Sequence, residues 1–153
     1  MGESTQIWGN AIEATIISKL IMLGHRVCLP FGESAPYDVV VEFDGICKRI
    51  QIKKIYKDNS AHRSHNGTYQ CNFRKSLVTR NNGDKNRRNR HYTKDDCDYF
   101  ICYLPEEDVS YIYPIEAVSD KWSANIRNKN TKHSKLFSDS YLEAWHLLEH
   151  EGE

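Results

Sequence analysis

Asp38, Gln51 and Lys53 are the residues whose types and spacing could do chemistry together. Asp44-Gly45 stands between two β-rich runs, residues 37–43 and 46–55. Asp-Gly supplies the positive φ angles that a type I′ turn needs, so the two runs read as a hairpin. That turn sets the register: Phe43 faces Ile46, and Asp38 comes to lie opposite Gln51. Facing residues point to the same side of a sheet, with Cβ atoms roughly 5 Å apart. Lys53 is two residues beyond Gln51 and shares that side, while Val39, Ile50 and Ile52 point the other way, toward a core. A carboxylate, an amide and an amine in one cluster suit hydrolysis of a phosphodiester with a divalent cation. Asp38 supplies an anionic ligand, Gln51 a neutral carbonyl oxygen, and the Ile52 backbone carbonyl a third oxygen. Such an ion withdraws charge from the phosphate and acidifies a bound water. Lys53 orients that water or helps to deprotonate it, and stabilises charge on the phosphate. Each residue alone has a plainer reading. Asp38 could cap the turn after Pro36, and Gln51 and Lys53 could be the solvated side of a hairpin. Their coincidence favours a site.

The element that must lie over this hairpin is a helix at residues 5–24. Thr5 is a candidate cap, Trp8, Ile12, Ile16, Leu20 and Leu23 recur every three or four positions, and Gly24 is a natural stop. Glu13 falls inside the apolar arc, between Leu20 and Ile17 on the helical wheel. Two readings stand level. Either its head reaches back to water past the edge of the arc, or its carboxylate is aimed at the sheet edge and joins the cluster, holding an ion through a water. Residues 25–29 read as a first strand and 30–36 as an irregular loop that delivers the chain to the hairpin.

Formal net charge is zero, yet charge is unevenly placed. Residues 54–94 hold 11 Lys/Arg and 2 acidic residues, and the remainder of the chain is correspondingly acidic. That asymmetry points to a polyanion-binding face on an acidic body. Within it, residues 68–73 look like a strand. Arg74, Lys75, Arg80, Lys85, Arg87, Arg88, Arg90 and His91 follow, in an Asn-rich stretch without hydrophobic period, which reads as a basic loop against double-stranded DNA. Residues 98–104 and 109–115 read as an antiparallel pair completing the sheet, with a turn or short helix at 116–120. Trp122, in a second basic stretch at 121–137, reads as a core anchor. Residues 138–149 read as a last helix, capped by Ser138, with Tyr141, Leu142, Trp145 and Leu148 as its apolar stripe.

The expected fold is therefore α/β (α+β): a mixed central β-sheet with flanking helices, forming one domain over residues 1–153 with a basic insertion at about 56–94. Hydrophobic and charged fractions of 39% and 27% suit a soluble protein. There is no run of about 18 apolar residues and no signal-peptide pattern, so a cytoplasmic protein without membrane contact is expected. The five cysteines form no CxxC pair and read as reduced, buried thiols rather than a zinc site.

Pro36-x-Asp38, Gln51-x-Lys53 and upstream Glu13 resemble the core motif of the PD-(D/E)xK nucleases, spread over residues 5–55. The strands near 98–115 fit the rest of that restriction-endonuclease-like sheet. Within the superfamily the chain is most similar to the homing endonucleases encoded by group I introns in cyanobacterial transfer-RNA genes, a branch that also carries Gln where the second acid would be. The resemblance implies a sequence-specific, Mg2+-dependent double-strand endonuclease, with Mn2+ as a substitute ion. It also implies assembly as a homotetramer, a dimer being the alternative. It places Asp38 and Gln51 at the metal, Lys53 at the nucleophilic water and Glu13 as the helical acid. Two departures from the general motif stand out: Tyr37 separates Pro36 from Asp38, and Gln51 replaces Asp or Glu. Competing readings are a non-catalytic, sequence-selective DNA-binding module, a Holliday-junction resolvase or restriction-type nuclease on the same core, and, more remotely, a zinc-stabilised RNA-binding domain.

Overall fold

The computed structural model describes residues 2–58, 68–78, 87–126 and 139–149. The Asp-Gly turn forms as its chemistry requires, with φ of 50° at Asp44 and 80° at Gly45. It joins β2 (Val39–Phe43) to β3 (Ile46–Lys54) in the expected register, Phe43 opposite Ile46 and Val39 opposite Ile50. β1 (Arg26–Cys28) adds antiparallel to β2. On the other side β3 pairs in parallel with β8 (Tyr99–Leu104), which runs antiparallel to β9 (Val109–Pro114). The result is a five-stranded mixed sheet, β1-β2-β3-β8-β9, in an α+β fold. A parallel pair needs a long crossover. Here the described residues of the connection from β3 to β8 form small β elements: β4 (Tyr56–Asp58), β5 (Thr68–Asn72), β6 (Arg74–Val78) and β7 (Arg87–His91).

β8 and β9 are buried on both faces, which is why they read as continuous apolar runs. Alternation splits their side chains between two cores. Ile101, Tyr103 and Ile112 join Val39, Val41, Ile50 and Ile52 beneath Ile12, Ile16 and Leu20 of α1 (Gly2–Met22). Phe100, Cys102, Leu104, Tyr111 and Tyr113 face the opposite layer, with Ile55, Cys71, Phe73, Tyr92, Cys97 and Ala124. That second layer contains β5 between β4 and β10 (Ser123–Ile126), and the separate β6–β7 ribbon. No helix among the described residues is long and apolar enough to cross a membrane.

Helix α1 stops where Gly24 dictates. Gly24 has φ of 95°, its N–H donates to Ile21 O, and His25 N–H donates to Leu20 O, the paired bonds of a Schellman motif. Its start differs from expectation: the helix begins at Gly2, so Thr5 lies within it and is not its cap. Trp8 also departs from the buried stripe. It is exposed, with Lys54 Nζ 5.3 Å from its ring centre.

Three further expectations are corrected. The basic stretch after Phe73 was expected to be loop. Its described parts pair instead as the antiparallel β6–β7 ribbon, Arg74 opposite His91 and Lys75 opposite Arg90. Trp122 is not a core anchor. It is 42% exposed and stacks on His91, ring centres 3.7 Å apart. The described part of 138–149 is not one helix; Ser138 lies outside the described residues. Tyr141 O accepts from Ile112 N–H, Glu143 N–H donates to Ser110 O, and Leu142 bridges Tyr111, so this segment covers the edge of β9. Glu143 sits at φ of 49°, and only a short 3-10 helix, Trp145–Leu148, follows. Of the cysteines, Cys71, Cys97 and Cys102 are buried as expected, whereas Cys28 and Cys47 are exposed. A short helix α2 (Ile115–Val118) stands where a turn or helix was expected.

His25 is 3% exposed, packs against Phe43, and finds no hydrogen-bond partner for either ring nitrogen among the described residues. Burial lowers its pKa from the usual histidine value; Glu149 opposes this and Lys48 adds to it. The folded state therefore resists a proton that the unfolded chain accepts below about pH 6.5, and this contribution to stability is lost as pH falls through that value. The thermal midpoint should drop between pH 7.5 and pH 5, and His25→Leu should flatten that drop. A calorimetric pH series on both proteins checks this; an unchanged slope in the variant assigns the effect elsewhere.

Candidate functional site

The hairpin ladder ends at Val39 and Ile50, one residue short of the expected Asp38–Gln51 rung. β3 continues to Lys54 beside β8, while the chain before β2 turns away. Pro36 has no N–H with which to extend the ladder, and Tyr37 packs against the second core. At this fork Asp38 makes two bonds. Its N–H donates to Ile50 O at 2.9 Å, and its carboxylate Oδ2 accepts the Ile52 N–H at 2.7 Å. The carboxylate thus replaces the missing strand at Ile52. In an extended strand the N–H and C=O of one residue point to the same edge. The Ile52 carbonyl therefore faces the gap that β2 has left, beside the Asp38 carboxylate.

Gln51 and Lys53 are half-buried and alternate with the buried Ile50 and Ile52. Lys53 Nζ lies 5.4 Å from the centre of the Tyr92 ring. Glu13 comes from α1, on the opposite face of the sheet, and is half-buried too. Burial raises the Glu13 pKa, and the negative charge of Asp38 raises it further. The Asp38 pKa is also raised, by burial first, against the Ile52 hydrogen bond and the Lys53 charge, which lower it. Among the described residues no group of three or more His, Cys, Asp and Glu side chains converges. At the fork the Asp38 carboxylate stands beside the Ile52 backbone. Carboxylate and carbonyl oxygens are hard donors of the kind that a divalent cation takes.

The basic residues separate by surroundings. Asp96 is 4% exposed and accepts from Lys75 Nζ at 2.8 Å and from both terminal nitrogens of Arg90 at 2.7 Å. Thr93 N–H donates to the same carboxylate at 2.9 Å. These donors, Arg90 foremost, hold the Asp96 pKa far below the usual carboxylate range. Lys75 and Arg90 are therefore internal cations. Arg74 and His91 flank Trp122 instead, the Arg74 guanidinium 6.0 Å from the Trp ring centre, and Arg74 is exposed. Arg87 and Arg88 lie on β7, while Arg80 and Lys85 fall outside the described residues. Sequence reasoning missed Tyr92 and Asp96. The Thr93-x-x-Asp96 spacing is a turn signal that could have located the latter.

Residues 3–148 match a protein family described as PD-(D/E)XK endonuclease. A solved structure titled "The structure of a bacterial homing endonuclease: I-Ssp6803I" aligns with a TM-score of 0.78 and 25% identity, covering 95% of this chain and 93% of that one. A second, titled "Crystal Structure of MepB", aligns with a TM-score of 0.41 and 15% identity over 80% and 85% of the two chains. No curated protein matches.

Raised carboxyl pKa values mean that the folded protein is destabilised by ionising this pair, a cost present at neutral pH and relieved as pH falls through the raised values. Asp38→Asn removes one charge while its amide oxygen can still accept the Ile52 N–H. Its thermal midpoint at pH 7 should equal or exceed that of the wild type, by up to about 1 kcal/mol of stability. A clear loss of stability in thermal unfolding would show that the carboxylate is a structural brace alone.

Proposed function

The chain belongs to the PD-(D/E)XK endonuclease family, and from that membership we propose that it is a sequence-specific, Mg2+-dependent homing endonuclease that cuts double-stranded DNA. One observation supports the assignment of chemistry to residues: the Asp38 carboxylate accepts the Ile52 N–H at the fork between β2 and β3, on the strand that carries Gln51 and Lys53. Likeness to a structure titled as a bacterial homing endonuclease, over nearly the whole of both chains, supports the choice of substrate. From the motif resemblance we infer an intron-encoded protein acting as a homotetramer, with a dimer as the alternative; cutting both strands requires at least two such sites.

Members of this family generally use divalent metals. In this chain Asp38, Gln51, the Ile52 carbonyl and Glu13, the last through a water, would hold the ion. When bound, a divalent ion offsets phosphate charge and makes a water acidic enough to attack. The remaining work belongs to the chain. Lys53 Nζ donates hydrogen bonds to the attacking water and to a non-bridging phosphate oxygen, fixing one against the other. The Asp38–Ile52 bond leaves the second carboxylate oxygen available and stops the group rotating. The Ile50 and Ile52 side chains anchor this part of β3 against Ile12, Ile16 and Leu20 of α1.

Cleavage of long duplex DNA in Mg2+ should fall by at least about 100-fold in Lys53→Ala, as expected for loss of a group acting on the proton transfer and the developing charge. Chelation of the ion should stop cleavage in the wild type. Wild-type rates in Lys53→Ala would remove the assigned chemistry.

The paired and unpaired cations should also behave differently toward DNA. Arg74→Ala should reduce the slope of log affinity against log salt by about 1, the signature of one lost phosphate contact. Lys75→Ala should leave that slope unchanged and lower thermal stability by about 1 kcal/mol, because its ammonium is held by Asp96. Fluorescence anisotropy at several salt concentrations separates the two, and equal slopes for the two variants would contradict the division.

A further inference from the structure

We propose that Tyr92 is a positioning residue: its ring face holds the Lys53 ammonium in place for the reaction at the fork. The inference rests on the proposed role of Lys53.

Lysine has a flexible stem and a single charged end, so its catalytic use depends on something that fixes that end. Lys53 Nζ makes no ion pair among the described residues. What it has is the Tyr92 ring, 5.4 Å from centroid to nitrogen. A carboxylate partner would neutralise the ammonium and occupy its hydrogens. An aromatic face attracts the cation and leaves those hydrogens free for a phosphate or a water. Tyr92 suits this task because it is itself immobilised. It is 7% exposed and meets Phe100 edge-on at 5.0 Å, and Phe100 stands next to Gln51 in the β3–β8 register. The chain on either side of Tyr92 is pinned to one carboxylate, since Arg90 and Thr93 both donate to Asp96. Lys75 reaches that carboxylate and also lies 5.9 Å from the Tyr92 ring centre. The β6–β7 ribbon, the Asp96 clamp, the Tyr92 ring and Lys53 thus form one contiguous path to the fork. The Tyr92 hydroxyl has no part in this role, and burial keeps it protonated.

The test compares Tyr92→Phe, which keeps the ring, with Tyr92→Leu, which removes it. Single-turnover cleavage at saturating DNA should stay within about threefold of wild type for Phe and fall about tenfold for Leu, with the DNA dissociation constant unchanged in both. In Lys53→Ala the added Tyr92→Leu change should have no further effect, because the group it positions is gone. Equal losses for Phe and Leu, or a tenfold loss that persists in the Lys53→Ala background, would overturn the proposal. If Lys53→Ala itself cuts normally, the assigned role of Lys53 fails, whatever the Tyr92 variants do. A measurement on the wild type guards against misfolding of the Leu variant. In protein labelled with 13C at lysine Cε, the Lys53 methylene, identified by its loss in Lys53→Ala, should be shifted upfield by the ring. A shift typical of free lysine would equally reject the proposal.

Discussion

The hydrogen bond from Ile52 N–H to the Asp38 carboxylate is the constraint on which the site depends. A sheet normally satisfies its backbone groups with another strand, and a buried N–H without a partner is costly. Where β2 leaves β3, a side chain takes over that duty. Two consequences follow from one bond. β3 can continue beside β8 where β2 has left its other edge, and the gap so formed leaves room beside the Asp38 carboxylate for the groups of the proposed site. In that proposal Glu13 comes from the helical face, and Gln51 and Lys53 from the opposite face. The cost is electrostatic, since burial opposes the charge on Asp38 and on Glu13 alike.

The second layer meets the opposite demand. There the charges are paired and the pairing is internal. Asp96 collects Lys75, Arg90 and the Thr93 N–H, and its pKa falls far below the usual range, where that of Asp38 rises. Arg49 does similar work at the start of β8. Its guanidinium grips Asp98 and the carbonyls of Lys94 and Asp95, while Asp98 N–H donates to Arg49 O. Both knots lie in the connection that returns the chain from the β6–β7 ribbon to the sheet. Satisfied ion pairs therefore frame the region, and the strained carboxylates stand at the fork. Carboxylates whose pKa is raised by burial beside an open gap are candidates for a functional role.

What was legible in the sequence was local. Asp44-Gly45 dictated its turn and register, Gly24 its helix stop, and the double-sided burial of β8 and β9 their unbroken apolar character. What was not legible depended on partners distant in the chain. Nothing near Ser138 announces that Tyr141 and Glu143 will bond to β9 in place of each other's helical turn. Trp122 looked like core because tryptophan usually is; its stack on His91 requires the ribbon, which has no apolar period to reveal it. Asp38 shows the same boundary within one residue. Its register with Gln51 could be counted from the turn, but the ladder ends early where Pro36 lacks an N–H and Tyr37 packs into the second core.

If Gln51 belongs to the proposed site, the fork also gives a physical reason for an amide at that position. Burial already raises the pKa of both carboxylates, and the charge of Asp38 raises that of Glu13 further. A third acid at Gln51 would add like charge to a half-buried site and push the set toward protonation. An amide supplies an oxygen of similar reach without that repulsion, and its N–H2 can donate to a neighbour. The consequence, on the proposed reading, is a weaker ion site in the absence of DNA. The phosphate brings the missing negative charge with it, so ion and DNA reinforce each other's binding. Such a site is assembled most completely at the moment when a phosphodiester is present to be cut.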